Sequence, residues 1–281
     1  MAVLLDQIVA EHRDENAIVD SRGATTWGQL NERVERLVHA LRDRGLTSGD
    51  CVMAMLGNQA EAIEVALACA HGGWLLVPVN WHWVADEVAY VLGDTAAAAI
   101  VVDRRWIDVV ADALVAEHAN RPGALIVVDG TADGFEDYRR VVASGAPGEI
   151  ADAERGGPMF YTSGTTGRPK GVVLTQANFA HQLEVIPGVL DIGPTDVFLS
   201  VLPPWHIFER TVEYVALTQG ARLVYTDVRR FRNDLAERSP TFVPSVPRIW
   251  EAVHDAIRKS LADGPALRRA VFTTAYKVAD V

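Results

Sequence analysis

Cysteine is scarce in this sequence of 281 residues: there are only two, and neither belongs to a recognisable cysteine motif. Cys51 and Cys69 lie in apolar stretches, with no Cys-x-x-Cys spacing and no pair of histidines beside them. A disulfide framework and a zinc site are therefore disfavoured. We expect two buried thiols in a protein of the reducing cytoplasm.

The sequence also lacks a basic leader and a long uninterrupted apolar run. Its start, MAVLLDQIVAEHRDE, becomes acidic at Asp6, whereas a signal peptide begins with a basic region. The most apolar window, residues 65–79, is interrupted by His71, Gly72, Gly73 and Pro78 and is too short to cross a bilayer. We expect at most peripheral contact with a membrane.

Positive charge is in short supply. The formal net charge is −11, and the sequence has no basic run of the kind that contacts nucleic-acid phosphates. We therefore expect no nucleic-acid partner. An anionic ligand would need a local binding site, because the field of the whole chain repels it.

Lysine is the rarest basic residue, with three lysines against 23 arginines. The first of them, Lys170, lies in the segment YTSGTTGRPKGV at residues 161–172, between two apolar runs. Three glycines and four Ser or Thr hydroxyls share this short segment. A position that keeps lysine in such an arginine-rich chain points to a specific need for an ammonium group.

The rest of the sequence alternates apolar runs with helical patterns. Thr26 and Gln29 form a capping box before apolar residues at helical spacing, and Gly45 follows the last turn. Strands are predicted from CVMAML, WLLVPV, AAAIVV, ALIVV, PMFYTS, GVVLT, VFLSVL, RLVYT and TFVPSV. Further helices are predicted near residues 59–70, 85–92, 105–117, 176–185, 208–217 and 247–261, with a last one from Pro265. This alternation predicts an α/β fold of mostly parallel sheets flanked by helices.

The segment around Lys170 has the chemistry of a polyphosphate cradle. Gly164, Gly167 and Gly171 let the backbone approach a ligand closely, and successive N–H groups of such a turn form an anion-binding nest. The spacing fits neither a Walker A loop, because Pro169 stands five residues after Gly164, nor the Gly-x-Gly-x-x-Gly fingerprint. Both of those loops also open a helix, whereas this one lies between two predicted strands. The alternative is a long hairpin loop that uses Gly and Thr only for turning.

The longer stretch YTSGTTGRPKGVVLTQANF resembles the signature phosphate loop of the adenylate-forming (AMP-binding) superfamily. The resemblance extends over nearly the whole chain, and LPPWHIFERTVEY and FVPSVPRIWEAV are similar to the long-chain fatty acyl-CoA and acyl-ACP synthetase branch. It implies an incomplete N-terminal AMP-binding domain over residues 1–281. A first α/β part (1–144) and a phosphate-loop and acyl-pocket part (158–281) are joined by a connector at 145–157.

The resemblance implies an acid–thiol ligase that joins a fatty acid to ATP and then passes the acyl group to CoA or acyl carrier protein. The implied phosphate ligands are Thr162, Ser163, Gly164, Thr165, Thr166, Gly167 and Lys170, with Lys170 also catalytic at the β/γ end. Mg²⁺ would be held by the ATP phosphates and a hydroxyl of Thr162 or Thr165, with no other protein ligand. Arg168 falls at a position that varies in the family.

His206 is the second catalytic candidate, because it follows a predicted strand at the end where α/β proteins tend to bind ligands. The resemblance places it near the acyl carboxylate, to which a neutral imidazole could donate. Trp205 and Phe208 are candidates for the acyl pocket, the alternative being plain core. Glu209 and Arg210 are expected to form a salt bridge at the start of a helix.

Several motifs of the superfamily do not occur in this sequence: the Tyr-Gly-x-Thr-Glu segment, the late ribose aspartate, the hinge and the C-terminal domain. We expect an incomplete form of an acyl ligase. The alternatives are half of a split enzyme completed by a second chain, and a non-catalytic module that binds acyl groups, nucleotides or a partner. The sequence does not give acyl chain length, the acceptor thiol or the oligomeric state.

Overall fold

The protein is described here as a computed structural model that covers residues 2–150, 152–162 and 169–262. Contacts within it divide the chain into two units, Met1–Val243 and Pro244–Val281. The larger unit contains two β-sheets and nine helices among its described residues. The described part of the smaller unit is dominated by one helix, α10 (Pro247–Ala262), which begins with a proline at the position where a missing N–H costs nothing.

The first sheet has four strands and joins the beginning of the chain to its later part. Its strands are β1 (Asn16–Asp20), β2 (Gly23–Thr26), β10 (Val197–Ser200) and β11 (Arg222–Tyr225). They lie in the order β10-β11-β1-β2, and only the β1–β2 hairpin is antiparallel.

The second sheet has seven strands in the order β7-β6-β5-β3-β4-β8-β9, all parallel except the last pair. Its members are β3 (Cys51–Met55), β4 (Leu75–Pro78), β5 (Ala99–Asp103), β6 (Ala124–Val128), β7 (Glu136–Asp137), β8 (Gly157–Thr162) and β9 (Lys170–Val173). Strands β3, β5 and β6 are buried along their whole length, as expected where helices cover both faces of a parallel sheet.

The helices of the larger unit cover the sheets on several sides. They are α1 (Ala2–His12), α2 (Trp27–Asp43), α3 (Ala60–Gly72), α4 (Ala85–Thr95), α5 (Ile107–Leu114), α6 (Tyr138–Ser144), α7 (Gln176–Val189), α8 (Ile207–Thr218) and α9 (Phe231–Arg238). Alternate residues of β3, such as Val52 and Met53, enter two separate cores. One core contains α2, α3, α6 and α8, and the other contains α4 and α5.

The fold class predicted from the sequence is confirmed, and so is the capping box at Thr26 and Gln29. Gly45 follows α2 with a positive φ of 91°, as its predicted role requires. The prediction for TFVPSV is wrong: Phe242 makes only a single bridge to Phe198, and no strand continues toward Pro244. A proline has no N–H to add to a sheet.

Other differences concern short elements. The predicted helix at 105–117 is a 3₁₀ turn (Arg104–Trp106) followed by α5, which ends at Leu114. The helix α1, the β1–β2 hairpin, β7, α6 and α9 were not predicted, and all of them except α1 are short and have little periodicity of their own. The helix predicted from Pro265 lies outside the described residues.

Candidate functional site

The segment around Lys170 forms an antiparallel pair of strands, which we call the β8–β9 arm (residues 157–173). The pairing places Thr162 opposite Lys170 and Tyr161 opposite Gly171. The two strands predicted on either side of the glycine-rich segment are therefore confirmed, and they pair antiparallel. The tip of the arm, residues 163–168, lies outside the described residues, and it holds Ser163, Gly164, Thr165, Thr166, Gly167 and Arg168.

Thr162 and Lys170 mark the two ends of that tip. Both side chains are exposed, and Cβ atoms of directly opposed residues in an antiparallel pair lie about 4.5–5.5 Å apart. Lys170 makes no ion pair with any other residue that the structure describes. A hydroxyl and a free ammonium thus stand side by side at the base of the glycine-rich loop.

The arm is anchored to the helices beside it through Tyr161. Its hydroxyl donates a 2.5 Å hydrogen bond to Asp94 Oδ2 near the end of α4, and its ring meets Trp83 edge to face. Burial and the Asp94 carboxylate raise the pKa of Tyr161 above its usual value. The tyrosine therefore stays protonated at neutral pH and keeps donating.

His206 caps the N-terminus of α8 at the end of the turn that follows β10. Its Nδ1 accepts a hydrogen bond from the backbone N–H of Phe208 at 3.4 Å. A neutral imidazole that accepts at Nδ1 carries its proton on Nε2, so this exposed side chain has a donor to offer. Phe208 is 47% exposed, and Trp205 is half-buried.

Trp205 belongs to an aromatic group that sequence reasoning missed. Trp81 stands edge-on to Trp205 and stacks on Trp106 with ring centroids 4.9 Å apart. The guanidinium of Arg105 lies 4.5 Å above the Trp106 ring, a cation–π arrangement. Trp81 follows β4 and Trp106 follows β5, so the strand-end argument used for His206 would have found both.

The salt bridge expected between Glu209 and Arg210 is not formed, and that prediction is wrong. Arg210 Nη1 lies 3.0 Å from Glu213 Oε2, while Glu209 accepts a hydrogen bond from Ser200 Oγ. All three charged residues are buried on the face of α8 that packs into the protein. The expectation assumed an exposed helix start, and the tertiary packing buries it.

A wide groove elsewhere collects arginines without offering them to a ligand. It has a volume of about 730 Å³ and includes Arg22 and Arg33 in its lining. Arg22 binds Asp20 and Glu61, and Arg33 Nε lies 2.6 Å from Glu64 Oε1. Because these guanidinium groups are already neutralised, we do not assign the phosphate site there.

Within residues 2–150, 152–162 and 169–262 there is no group of three or more His, Cys, Asp or Glu side chains placed to hold a metal ion. Among the same residues, no helix has both the length and the apolar character that crossing a membrane requires.

Known proteins of similar sequence carry the names of fatty acid ligases. The chain is 25% identical over 276 residues to the chloroplastic long-chain-fatty-acid–acyl-carrier-protein ligase AEE15 of Arabidopsis thaliana, covering 90% of this chain and 38% of that protein. It is 27% identical to a medium/long-chain-fatty-acid–CoA and 3-oxocholest-4-en-26-oate–CoA ligase of Mycolicibacterium smegmatis, covering 88% of this chain and 47% of that protein. The chain thus spans less than half the length of these two relatives.

A solved structure shows the same fold. The long-chain-fatty-acid-CoA ligase of Archaeoglobus fulgidus superposes with a TM-score of 0.80 at 20% identity, covering 92% of this chain and 54% of that one. The family model described as AMP-binding enzyme matches residues 5–277. With nearly its whole length matched, the chain belongs to the AMP-binding enzyme family.

Proposed function

We propose that this protein takes part in the ATP-dependent activation of a long-chain fatty acid to an acyl-adenylate, followed by thioester formation with CoA or acyl carrier protein. The observation that carries the proposal is the β8–β9 arm, which sets Thr162 and Lys170 opposite each other at the base of the glycine-rich loop. The names of the relatives support the choice of a fatty acid.

In this proposal the arm grips the phosphates of ATP. The hydroxyls of Thr162, Ser163, Thr165 and Thr166 and the backbone N–H groups at Gly164 and Gly167 donate to phosphate oxygens. Lys170 neutralises the β/γ end, and its compact ammonium on a flexible stem can follow the departing pyrophosphate. Lysine suits this position better than the arginine used elsewhere in the chain, because a planar fork would fix one geometry.

The reaction itself asks the protein for positioning and charge stabilisation. The fatty acid carboxylate attacks the α-phosphorus, pyrophosphate leaves, and negative charge gathers on the phosphoryl oxygens. Mg²⁺, when bound by the ATP phosphates, would supply further neutralisation of that charge. The hydroxyl of Thr162, exposed at the end of β8, is a hard oxygen ligand of the type Mg²⁺ accepts, and Thr165 is the other candidate.

His206 and the aromatic residues near it would receive the fatty acid. The proton on His206 Nε2 can be donated to the carboxylate or to an α-phosphate oxygen. Trp205 and Phe208 are the proposed pocket residues, and Trp81 extends the apolar wall on the side of Trp205. An apolar surface with a few polar groups is typical of a site that binds a long acyl chain.

The organisation of the chain enters the proposal as well. We propose that residues 1–144 and 158–281 act as two parts of one N-terminal domain, because strands from both sides of the connector share each sheet. A second chain that supplies the rest of the enzyme is a further proposal, motivated by the 38% and 47% of the relatives that this chain spans. Cys51 and Cys69 are buried and free, which fits the proposed location in the cytoplasm.

The test is ATP–pyrophosphate exchange with palmitate, combined with calorimetric titration of the chain with ATP and with pyrophosphate. We expect binding of both phosphate ligands and little exchange by the chain alone. Exchange should rise when a second chain carrying the remaining length of a relative is added. Binding without exchange under every condition would favour a nucleotide-binding module, and absence of both binding and exchange would contradict the proposal.

A further inference from the structure

Three charged side chains are buried together beneath the turn that carries His206. Glu209 and Glu213 are 0% exposed and Arg210 is 2% exposed. With Ser200 of β10 and Tyr225 of β11 they form a group that we call the buried carboxyl cluster. Burying charge in a protein interior is costly unless each charge is paired, so the hydrogen-bond and ion-pair partners of these side chains determine what their burial costs.

Among the described residues, Glu213 has an ion-pair partner and Glu209 has none. Tyr225 donates a 2.8 Å hydrogen bond to Glu213 Oε1, and Arg210 Nη1 lies 3.0 Å from Glu213 Oε2. Glu209 Oε1 accepts from Ser200 Oγ, and within the described part of the chain no hydrogen bond reaches Glu209 Oε2, Glu213 Oε2 or Arg210 Nε. One guanidinium therefore lies beside two buried carboxyl groups and forms an ion pair with only one of them.

Among the residues that the structure describes, no other cation forms an ion pair with either carboxyl of the cluster. The titratable groups around the cluster are Tyr214 on α8, Tyr225 on β11 and Cys69 on α3. Burial raises the pKa of Tyr214 to about 12, and burial raises the pKa of Tyr225 and of Cys69 too, so all three are neutral at pH 7. If both carboxyls were ionised, the cluster would hold an uncompensated negative charge in the core.

A single proton removes that excess charge. Burial and then the neighbouring charge of Glu213 raise the pKa of Glu209 to about 9. Two carboxyl groups in one site commonly behave in this way, since like charges at close range cannot both ionise. With one proton bound, the two carboxyls and Arg210 together are electrically neutral.

The cluster also holds both ends of the turn between β10 and α8. Arg210 Nη2 donates to Pro204 O at 3.1 Å, and Ser200 at the end of β10 donates to the Glu209 carboxyl. Asn58 Nδ2 adds a 3.1 Å bond to Leu202 O. The residues between these anchors lead directly into Trp205 and His206.

We propose that Glu209 and Glu213 share one proton at neutral pH and that, with Arg210, they form the positioning group that fixes the turn bearing Trp205 and His206. The consequence for catalysis rests on the proposed function, whereas the shared proton and the placement of the turn do not. Glu209 and Glu213 are positioning residues, since they act on a substrate only through His206.

The first experiment looks for the shared proton in the intact chain by infrared spectroscopy. The wild type should show the carbonyl stretch of a protonated carboxylic acid at pH 7. Glu209→Gln should remove it, because the remaining carboxyl of Glu213 keeps its ion pair with Arg210 and ionises, and Glu213→Gln should weaken it, because the neighbouring charge that favours the proton on Glu209 is gone. Glu184→Gln, an exposed position on α7, is the matched control and should keep the band. A wild type without the band, or a band that survives both substitutions, overturns the shared proton.

The second experiment measures unfolding by urea as a function of pH. The pKa of Glu209 is raised on folding, so its stabilisation is complete below the ordinary glutamate pKa and is lost as pH rises through 9. Between those values the unfolding equilibrium constant of the wild type should rise by up to tenfold per pH unit relative to that of Glu209→Gln. Parallel profiles for the two proteins would contradict the proposal.

The third experiment follows the position of the turn by NMR. It uses the ring resonances of His206, which are identified with a His206→Gln variant. We expect Glu209→Gln to leave these signals in place, because the amide can still bond to Ser200. Glu209→Ala, or Glu209→Asp if the alanine variant does not fold, should shift them. Unmoved His206 signals would overturn the positioning role. If the chain binds neither ATP nor pyrophosphate and no exchange is found, while the His206 signals do shift, the proposed function fails and this inference stands.

Discussion

The β8–β9 arm and the buried carboxyl cluster handle charge in opposite ways. Lys170 of the arm is exposed and makes no ion pair with the residues that the structure describes, whereas Arg210 of the cluster is buried and bonded on several sides. A solvated charge costs the fold little and is free to meet a ligand. A buried charge fixes its surroundings, because breaking its pairing is expensive.

This contrast predicts that substitutions separate by readout. Changes at the exposed end of the arm should alter ligand binding and leave stability alone. Changes in the cluster should lower stability first and affect ligands only through the turn that carries His206.

The largest effect is expected for Arg210→Met. The substitution leaves Glu213 buried without its cation and removes the bond to Pro204 O, so the free energy of unfolding should fall by about 3–5 kcal/mol. Urea unfolding at pH 7 measures it. The matched control is Arg42→Met, whose partner Asp152 is 82% exposed and whose loss should therefore change the free energy of unfolding far less. Equal losses in the two variants would break the comparison.

The contrast also shows what a sequence can and cannot reveal. The arm was predicted because glycines, hydroxyls and a rare lysine lie together within a dozen residues, and its strands follow from the apolar runs on either side. The cluster is brought together by strands β10 and β11 and helix α8, and nothing in HIFERTVEY distinguishes an exposed Glu209 from a buried one. The sequence suggested a salt bridge between Glu209 and Arg210 at the helix start, whereas in the packed structure Arg210 forms its ion pair with Glu213.

The same reasoning explains which parts of the fold were predicted. Parallel strands with continuous apolar character, such as β3 and β5, were found because burial on both faces is visible in the sequence. The strand expected at TFVPSV shows the opposite case, since β-branched and aromatic residues raised an expectation that the prolines and the single bridge at Phe242 did not support. The meeting of Trp81 with Trp205 depends on strands from different sheets, which no local pattern specifies.

At the arm, Lys170→Ala should cost activity and not stability. Loss of one preorganised charge at the phosphates should raise the adenylation barrier by about 2–4 kcal/mol in the enzyme that shows exchange, and weaken pyrophosphate binding by the chain. The free energy of unfolding should stay within about 0.5 kcal/mol of the wild type, because Lys170 is exposed. Lys259→Ala removes an exposed lysine from α10 and is the control. Unchanged pyrophosphate binding would remove Lys170 from the site.

Gly156, the residue just before the β8–β9 arm, is closely packed. A Cβ at Gly156 would lie 2.0 Å from Cys69 O and 2.3 Å from Trp74 O, and backbone atoms cannot move aside cheaply. Gly156→Ala should therefore lower the free energy of unfolding by about 1–3 kcal/mol, measured by urea. Gly188→Ala on α7 meets no heavy atom within 4 Å and should stabilise by about 0.5–1 kcal/mol. A neutral Gly156→Ala would mean that the base of the arm is not held where the structure has it.

The smallest effect is expected at Tyr161, which lies near the end of β8 beside α4. Tyr161→Phe removes one hydrogen bond to Asp94 on a half-exposed ring, so the free energy of unfolding should fall by about 0.5–1.5 kcal/mol at pH 7. The pKa of Tyr161 is raised on folding, which means that its stabilisation is present below the ordinary tyrosine pKa near 10 and is lost above it. The wild type should consequently lose its advantage over Tyr161→Phe as the pH is raised past 10. A difference that stays constant up to pH 11 would show that the hydroxyl does not depend on Asp94, and Tyr161 would then not anchor the arm to α4.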